Sequence, residues 1–265
     1  MTNKFQTIEA SDPSFEMENL RDVTVKSPAL GGRGDVTVWV PASQQIDTLL
    51  ILLHGVYNSH WAWSRKGGVH RVAQGLVDAA EISPLVIAMP SDGLVRDGSA
   101  YLTFPSGQDV ETWIVDEVPA IAQMAAPNLT PNAKIAIGGF SMGGYGALRL
   151  AAKFPNRFCS VSAHSAITDI HEMGSFVTET MSDYLACATI EELSPVYWMR
   201  KHRDRLPRIR FDCGIDDVLI EGNRAFHAAL EGDGISHIYE EFHGGHDWPY
   251  WQEHVAGTLR FASQS

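Results

Sequence analysis

The chain has 265 residues and a formal net charge of −12, from 20 basic and 32 acidic side chains. That balance argues against a nucleic-acid or anionic-membrane partner, both of which need basic patches. With 45% hydrophobic and 20% charged residues, the length suits a single compact domain spanning 1–265 rather than a disordered chain.

The N-terminus, MTNKFQTIEASDPSFEMENL, is polar and acidic and has no apolar signal core. With no segment long enough to cross a membrane, a cytoplasmic protein is expected. DVTVWV, 35–40, alternates like a half-buried strand, and DTLLILLH, 47–54, is the unbroken apolar run of a strand covered on both faces. VHRVAQGLVDAA, 69–80, has helical spacing; PLVIAMP, 84–90, is the next strand; 91–108 is a loop rich in Gly, Ser and Asp. DVETWIVDEVPAIAQMA, 109–125, has the pattern of an amphipathic helix with a kink at Pro119. KIAIGGF, 134–140, is a buried strand, followed by a helix over 142–155 and a strand over 157–165. Strands at 208–214 and 237–242 and helices at 220–232 and about 249–261 complete the chain. The alternation predicts an α/β domain with a mainly parallel sheet and helices on both faces. Only 166–206 interrupts it, with mixed short elements and apolar residues such as Phe176, Tyr184, Tyr197 and Trp198, as a cap or binding insertion does. The cysteines, Cys159, Cys187 and Cys213, show neither a disulfide framework nor metal spacing. Cys159 and Cys213 lie in apolar runs and read as small core residues.

GGFSMGGYG, 138–146, joins a buried strand to a helix. It lacks the spacing of a phosphate cradle. Gly139-Phe140-Ser141-Met142-Gly143 instead fits the G-x-S-x-G turn that mounts a nucleophilic serine, where strand and helix run too close for side chains at the two flanking positions. A serine needs a base and an orienting acid, which in this architecture follow it in the order acid, then histidine. Strand ends downstream supply Asp216 or Asp217 as acid, with Asp212 inside the strand pattern and less suited. His243 and His246 follow the last strand, and His246, beyond Gly244-Gly245, is the better placed to turn back toward the serine. The backbone N–H groups of Met142 and of Val56, on the loop after the strand 47–54, are the expected oxyanion donors, with His54 supporting that loop. Tyr57, His60, Trp61 and Trp63 either line an acyl or alcohol pocket or pack the loop onto the core. Ser91, Asp92, Tyr101, His164, Ser165 and Trp198 are further candidates for the pocket. Asp92-Gly93 and Asp97-Gly98 read as turns rather than metal ligands.

The motifs LLHGVYNSHWAW, GGFSMGGYGAL, CGIDDVLIEGNRAFHAAL and FHGGHDWPYW make the chain resemble, from about residue 20 onward, the putative-esterase (esterase D-like) family of α/β hydrolases. The resemblance implies an α/β-hydrolase fold and a serine carboxylesterase of small esters. The histidines show no metal-binding spacing, so no metal or cofactor is expected, and a homo-oligomer is open to the chain. An acyltransferase or thioesterase with the same triad is the alternative, and a binding module with a dead site a more distant one. The family's G-x-x-D-x-L pattern falls on Gly214–Leu219 and selects Asp217; its glycine-glycine-histidine pattern selects His246. The oxyanion pair Val56 and Met142 is implied as well. The chain lacks the Ser-Gly-Leu-Thr-Cys stretch typical of S-formylglutathione hydrolases at His54-Gly55-Val56, so a glutathione thioester is not the expected substrate.

Overall fold

Leu49, Ile51 and Leu53 pack into one hydrophobic cluster and Leu50 and Leu52 into another. This explains the unbroken apolar run: successive side chains of a strand point to opposite faces, and here both faces are covered. The computed structural model describes residues 5–264, and among these nine strands form one sheet. They are β1 (Ile8–Ala10), β2 (Leu20–Ser27), β3 (Gly32–Trp39), β4 (Ile46–Leu53), β5 (Val86–Pro90), β6 (Leu129–Phe140), β7 (Ser160–His164), β8 (Arg208–Gly214) and β9 (Ile238–Phe242). Their spatial order is β1-β2-β3-β5-β4-β6-β7-β8-β9. β5, β4, β6, β7, β8 and β9 pair in parallel, whereas β1, β2 and β3 join antiparallel at one edge. The sheet is therefore mixed and mostly parallel. β2 alternates buried and outward residues, and it was hidden in the sequence by the polar segment around it.

Helices Val69–Asp78 and Trp248–Ser263 cover one face, through Val69, Ala73, Leu76, Trp251, Val255 and Leu259. Residues 110–125 and the helices Met142–Lys153 and Ile220–Gly232 cover the other. The segment 110–125 is helical as its periodicity predicts, but it widens to i→i+5 turns over Trp113–Glu117, just before Pro119. A wider turn accommodates a residue with no N–H to give to the preceding turn. Among the described residues no helix is long and apolar enough to cross a membrane. The three cysteines are free; Cys213 is buried, while Cys159 is half-buried with its thiol on the Ile135 carbonyl.

β4 has β5 on one side and β6 on the other, so the chain changes direction across the sheet at β4. The loops leaving the carboxyl ends of β4 and β6 thus part and open a crevice, the usual position for a ligand in open α/β sheets. Residues 166–206 fold as short helical pieces between β7 and β8, among them Met181–Leu185 and Pro195–Lys201. They divide into two halves. Residues 190–201 dock on the nucleophile-side helix Met142–Lys153, where Tyr145 Oη donates to the Leu193 carbonyl and Arg149 Nε to that of Glu192. Residues 176–184 instead reach back to the loops beside Ser141.

Candidate active site

Ser141 sits between β6 and the helix Met142–Lys153 with φ 55° and ψ −122°, a strained backbone for a residue with a side chain. Three hydrogen bonds hold it there: Ser141 N–H donates to the His164 carbonyl (3.0 Å), and its own carbonyl accepts from Tyr145 N–H (3.1 Å) and Ile167 N–H (3.2 Å). The flanking glycines have a steric cause. A methyl group on Gly139 would lie 2.5 Å from the Gly143 carbonyl carbon and 2.8 Å from the Leu53 oxygen; one on Gly143 would lie 2.6 Å from the Leu53 carbonyl carbon. Gly144 admits the approach of Ala166 and of Ala163 on β7, and Gly146 that of the Tyr101 ring. The helix therefore packs closely on the neighbouring loops as well as on the sheet.

His246 and Asp217 come to Ser141 from the ends of β9 and β8. Ser141 Oγ is 2.9 Å from His246 Nε2, and His246 Nδ1 is 3.0 Å from both carboxylate oxygens of Asp217. With Nδ1–H donating to the carboxylate, Nε2 is left as the acceptor for the serine hydroxyl. The loops that present them are tied together: Asp216 N–H donates to the Gly244 carbonyl and Ile215 N–H to that of Phe242. Burial raises the pKa of Asp217, but the His246 hydrogen bond and charge, with the Leu219 N–H, outweigh it and hold the carboxyl below its ordinary value. Phe176 lies against the His246 ring (centroids 5.2 Å apart, tilted 30°), and Trp251 meets it edge-on at 5.2 Å. Both aromatics fix the imidazole's plane. Phe176 was legible only as an apolar residue of the insertion, and no local pattern links it to a histidine 70 positions on.

Gly55 is where the loop after β4 passes the serine; a methyl group there would be 3.3 Å from Ser141 Cβ. His54 Nδ1 pairs with the Gly55 carbonyl at 2.7 Å. Because a trans peptide directs its C=O and N–H oppositely, this aims the Val56 N–H away from His54. Met142 opens the next helix, where the first N–H groups have no partner within the helix. Gly98 packs between the side chains of Met142 and Val56, and a methyl group there would press on the Met142 thioether.

The remaining sequence candidates divide. Tyr57 and Trp61 are 61% and 41% exposed on the loop beside Val56. His164 is a correction: at 0% exposure it faces the helix Trp248–Ser263, with Nδ1 on Asp212 (2.9 Å) and Nε2 on Thr258 Oγ1 (2.7 Å). Asp212 also accepts from Tyr250 Oη (2.8 Å) and Arg210 (2.6 Å). His164 therefore braces the sheet behind the serine and lines no pocket. Trp198 is a second correction, 6% exposed with Nε1 donating to the Glu192 carbonyl in the half of the insertion that docks on the helix. Trp63 packs into the core, its Nε1 on the Leu53 carbonyl, and His60 Nδ1 turns to Thr37 Oγ1. Ser91, Asp92, Tyr101 and Ser165 are buried. Tyr101 Oη donates to the His54 carbonyl, so it props the loop from below.

The strand order, the strained serine turn and the hydrogen-bonded chain behind it define an α/β-hydrolase. Residues 27–262 match the model of the "Putative esterase" family, and the chain belongs to that family. It is a hydrolase of carboxylic esters. An acetyl esterase of Caldicellulosiruptor saccharolyticus is 25% identical over 238 residues, 84% of this chain and 85% of that protein. Esterase Rv1288 of Mycobacterium tuberculosis is 25% identical over 203 residues, 65% of this chain and 44% of its own length. Among solved structures, a ferulic acid esterase matches with a TM-score of 0.77 at 25% identity, over 97% of this chain and 98% of that one. An S-formylglutathione hydrolase of Staphylococcus aureus shares the fold, with a TM-score of 0.77 at 22% identity over 92% and 98% of the two chains.

Proposed function

We propose that Ser141, His246 and Asp217 carry the reaction and that the substrate is an ester with a short acyl group. Ser141 Oγ attacks the ester carbonyl while His246 Nε2 takes its proton. The oxyanion that forms is held by the backbone N–H groups of Met142 and Val56, aided by the N-terminal dipole of the helix. Collapse breaks the bond to the alkoxy oxygen, which leaves as the alcohol with the proton from His246. Water, deprotonated by His246, then releases the acid and restores Ser141. Asp217 keeps Nε2 as the basic nitrogen and stabilises the imidazolium. The observation that carries this reading is the continuous path from Ser141 Oγ through His246 to Asp217, with contacts of 2.9 and 3.0 Å.

One comparison favours a short acyl group: the relatives include an acetyl esterase. Exposed Tyr57, Trp61 and Val218 leave an apolar rim for a larger alcohol. Three free cysteines fit a reducing compartment. Replacing Ser141 with Ala is expected to lower kcat on p-nitrophenyl acetate by several orders of magnitude and to abolish fluorophosphonate labelling, leaving only the roughly 10³-fold contribution of binding and the oxyanion site. Retained turnover in Ser141→Ala would end the assignment. In a series of p-nitrophenyl esters, activity is expected to peak at acetate or propionate; an optimum at octanoate would refute the short acyl group and leave the serine mechanism untouched.

A further inference from the structure

The segment that carries Val56 is itself strained and held from outside. Tyr57, the next residue, has φ 58°, a left-handed conformation rare for a bulky side chain. Such a conformation persists only where its surroundings over-determine it. Here nearly every restraint comes from one residue. The Asp97 carbonyl accepts from Tyr57 N–H at 2.9 Å, and Asp97 Oδ2 accepts from Tyr57 Oη at 2.9 Å. The same Oδ2 also accepts from Thr178 N–H (2.8 Å) and Thr178 Oγ1 (2.7 Å), while Asp97 N–H donates to Glu179 Oε1 (2.8 Å). The carbonyl of the same peptide, that of Val56, accepts from Asn58 Nδ2 at 2.7 Å. Asp97 thus ties three segments distant in sequence: the loop after β4, the loop after β5 and the half of the insertion that carries Phe176 onto His246. Next to it, Gly98 packs against both Val56 and Met142, and its carbonyl accepts from Tyr184 Oη.

We propose that Asp97 is a positioning residue for ester hydrolysis, holding the Val56 N–H at the oxyanion through Tyr57 and holding Phe176 against His246 through Thr178. This rests on the serine mechanism and oxyanion donors proposed above. Hydrogen bonds from Thr178, then from Tyr57, lower the Asp97 pKa, so the carboxylate is charged at neutral pH and makes stronger bonds than a neutral acceptor. The physical logic is that an oxyanion donor helps only if it is already aimed when charge develops; a displacement of about 1 Å costs on the order of 10²-fold in rate.

The test uses the whole chain, with p-nitrophenyl acetate as substrate and a phenyl trifluoromethyl ketone as probe. The ketone adds to Ser141 to form a tetrahedral oxyanion, so its affinity reads the oxyanion site directly. Asp97→Ala is expected to lower kcat by about tenfold or more, to change KM by no more than about threefold, and to weaken the ketone by about the same factor as kcat/KM. Asp97→Asn, which keeps an acceptor oxygen at that position, should recover most of the loss. Tyr57→Phe removes only one branch and should show a smaller loss of the same kind; it decides the matter if Asp97→Ala does not fold. A folded Asp97→Ala with unchanged kcat and unchanged ketone affinity would overturn the proposal, as would a loss of kcat that the ketone does not follow. Ser141→Ala in parallel separates the two readings: inactivity there with an unaffected Asp97→Ala removes Asp97 alone, while activity there removes the mechanism on which both rest.

Discussion

Asp217 is 3% exposed, and the partner that keeps it charged is the histidine it orients. Its pKa in the folded protein lies below the ordinary value of 3.8, so its contribution to stability is complete above that value and is lost as the pH falls through the lower, folded one. The melting temperature of the wild type should therefore fall more steeply below about pH 4 than that of Asp217→Asn, narrowing the gap between the two. Parallel curves would mean that the pairing with His246 does not hold the carboxyl down. At this scale the sequence was informative where a local pattern exists: Ser141, Asp217 and His246 each follow a strand within a recognisable turn, and the structure brings the three within hydrogen-bond distance. It failed for His164 and Trp198, whose residue types suit a pocket equally well. Which face a strand residue presents depends on register, and β7 turns His164 toward Asp212 and Thr258 rather than toward the crevice.

The helix Met142–Lys153 shows what a single methyl group decides. At Gly143 the obstruction is the backbone of Leu53 and His54, which cannot yield without moving β4. At Gly146 it is the ring of Tyr101, a side chain that can shift if it gives up its bond to the His54 carbonyl. Gly143→Ala is accordingly expected to leave no soluble active enzyme. Gly146→Ala should fold with a stability loss of about 1–3 kcal/mol, typical of overpacking, and with reduced kcat because Tyr101 props the loop carrying Val56. Urea melts and p-nitrophenyl acetate assays on the two variants check this; equal losses would mean that backbone and side-chain obstruction do not differ here. The strands and helices of the parallel region were legible from periodicity to within a few residues. β1 and β2 were not: β1 is a three-residue edge strand, and β2, between β1 and β3, alternates its buried residues with polar ones in an otherwise polar segment. Nor were the ties through Asp97, which join residues 40 and 81 positions apart and have no local signature.

Across the whole molecule, the excess of acid sets up a field that repels anions, and Asp97, Glu179 and Asp216 place part of it beside the crevice. The Debye length shrinks from about 30 Å at 0.01 M salt to about 8 Å at 0.15 M. KM for an ester with a free carboxylate should therefore fall as salt is added over that range, while KM for a neutral ester stays level. Steady-state assays with p-nitrophenyl acetate and a p-nitrophenyl hemisuccinate measure it, and equal responses would exclude a role for the field.

The spacing of the hydrogen-bonded chain also bears on how the protein is made. Ser141 leaves the ribosome 105 residues before His246, and Asp217 arrives between them, 29 residues ahead of the histidine. Until β9 and the helix after it are in place, the nascent chain carries only an ordinary alcohol on a glycine-lined turn. Under the proposed mechanism, prematurely terminated products would therefore reach the cell without hydrolytic activity, so a failure of synthesis yields an inert fragment and not an unregulated enzyme.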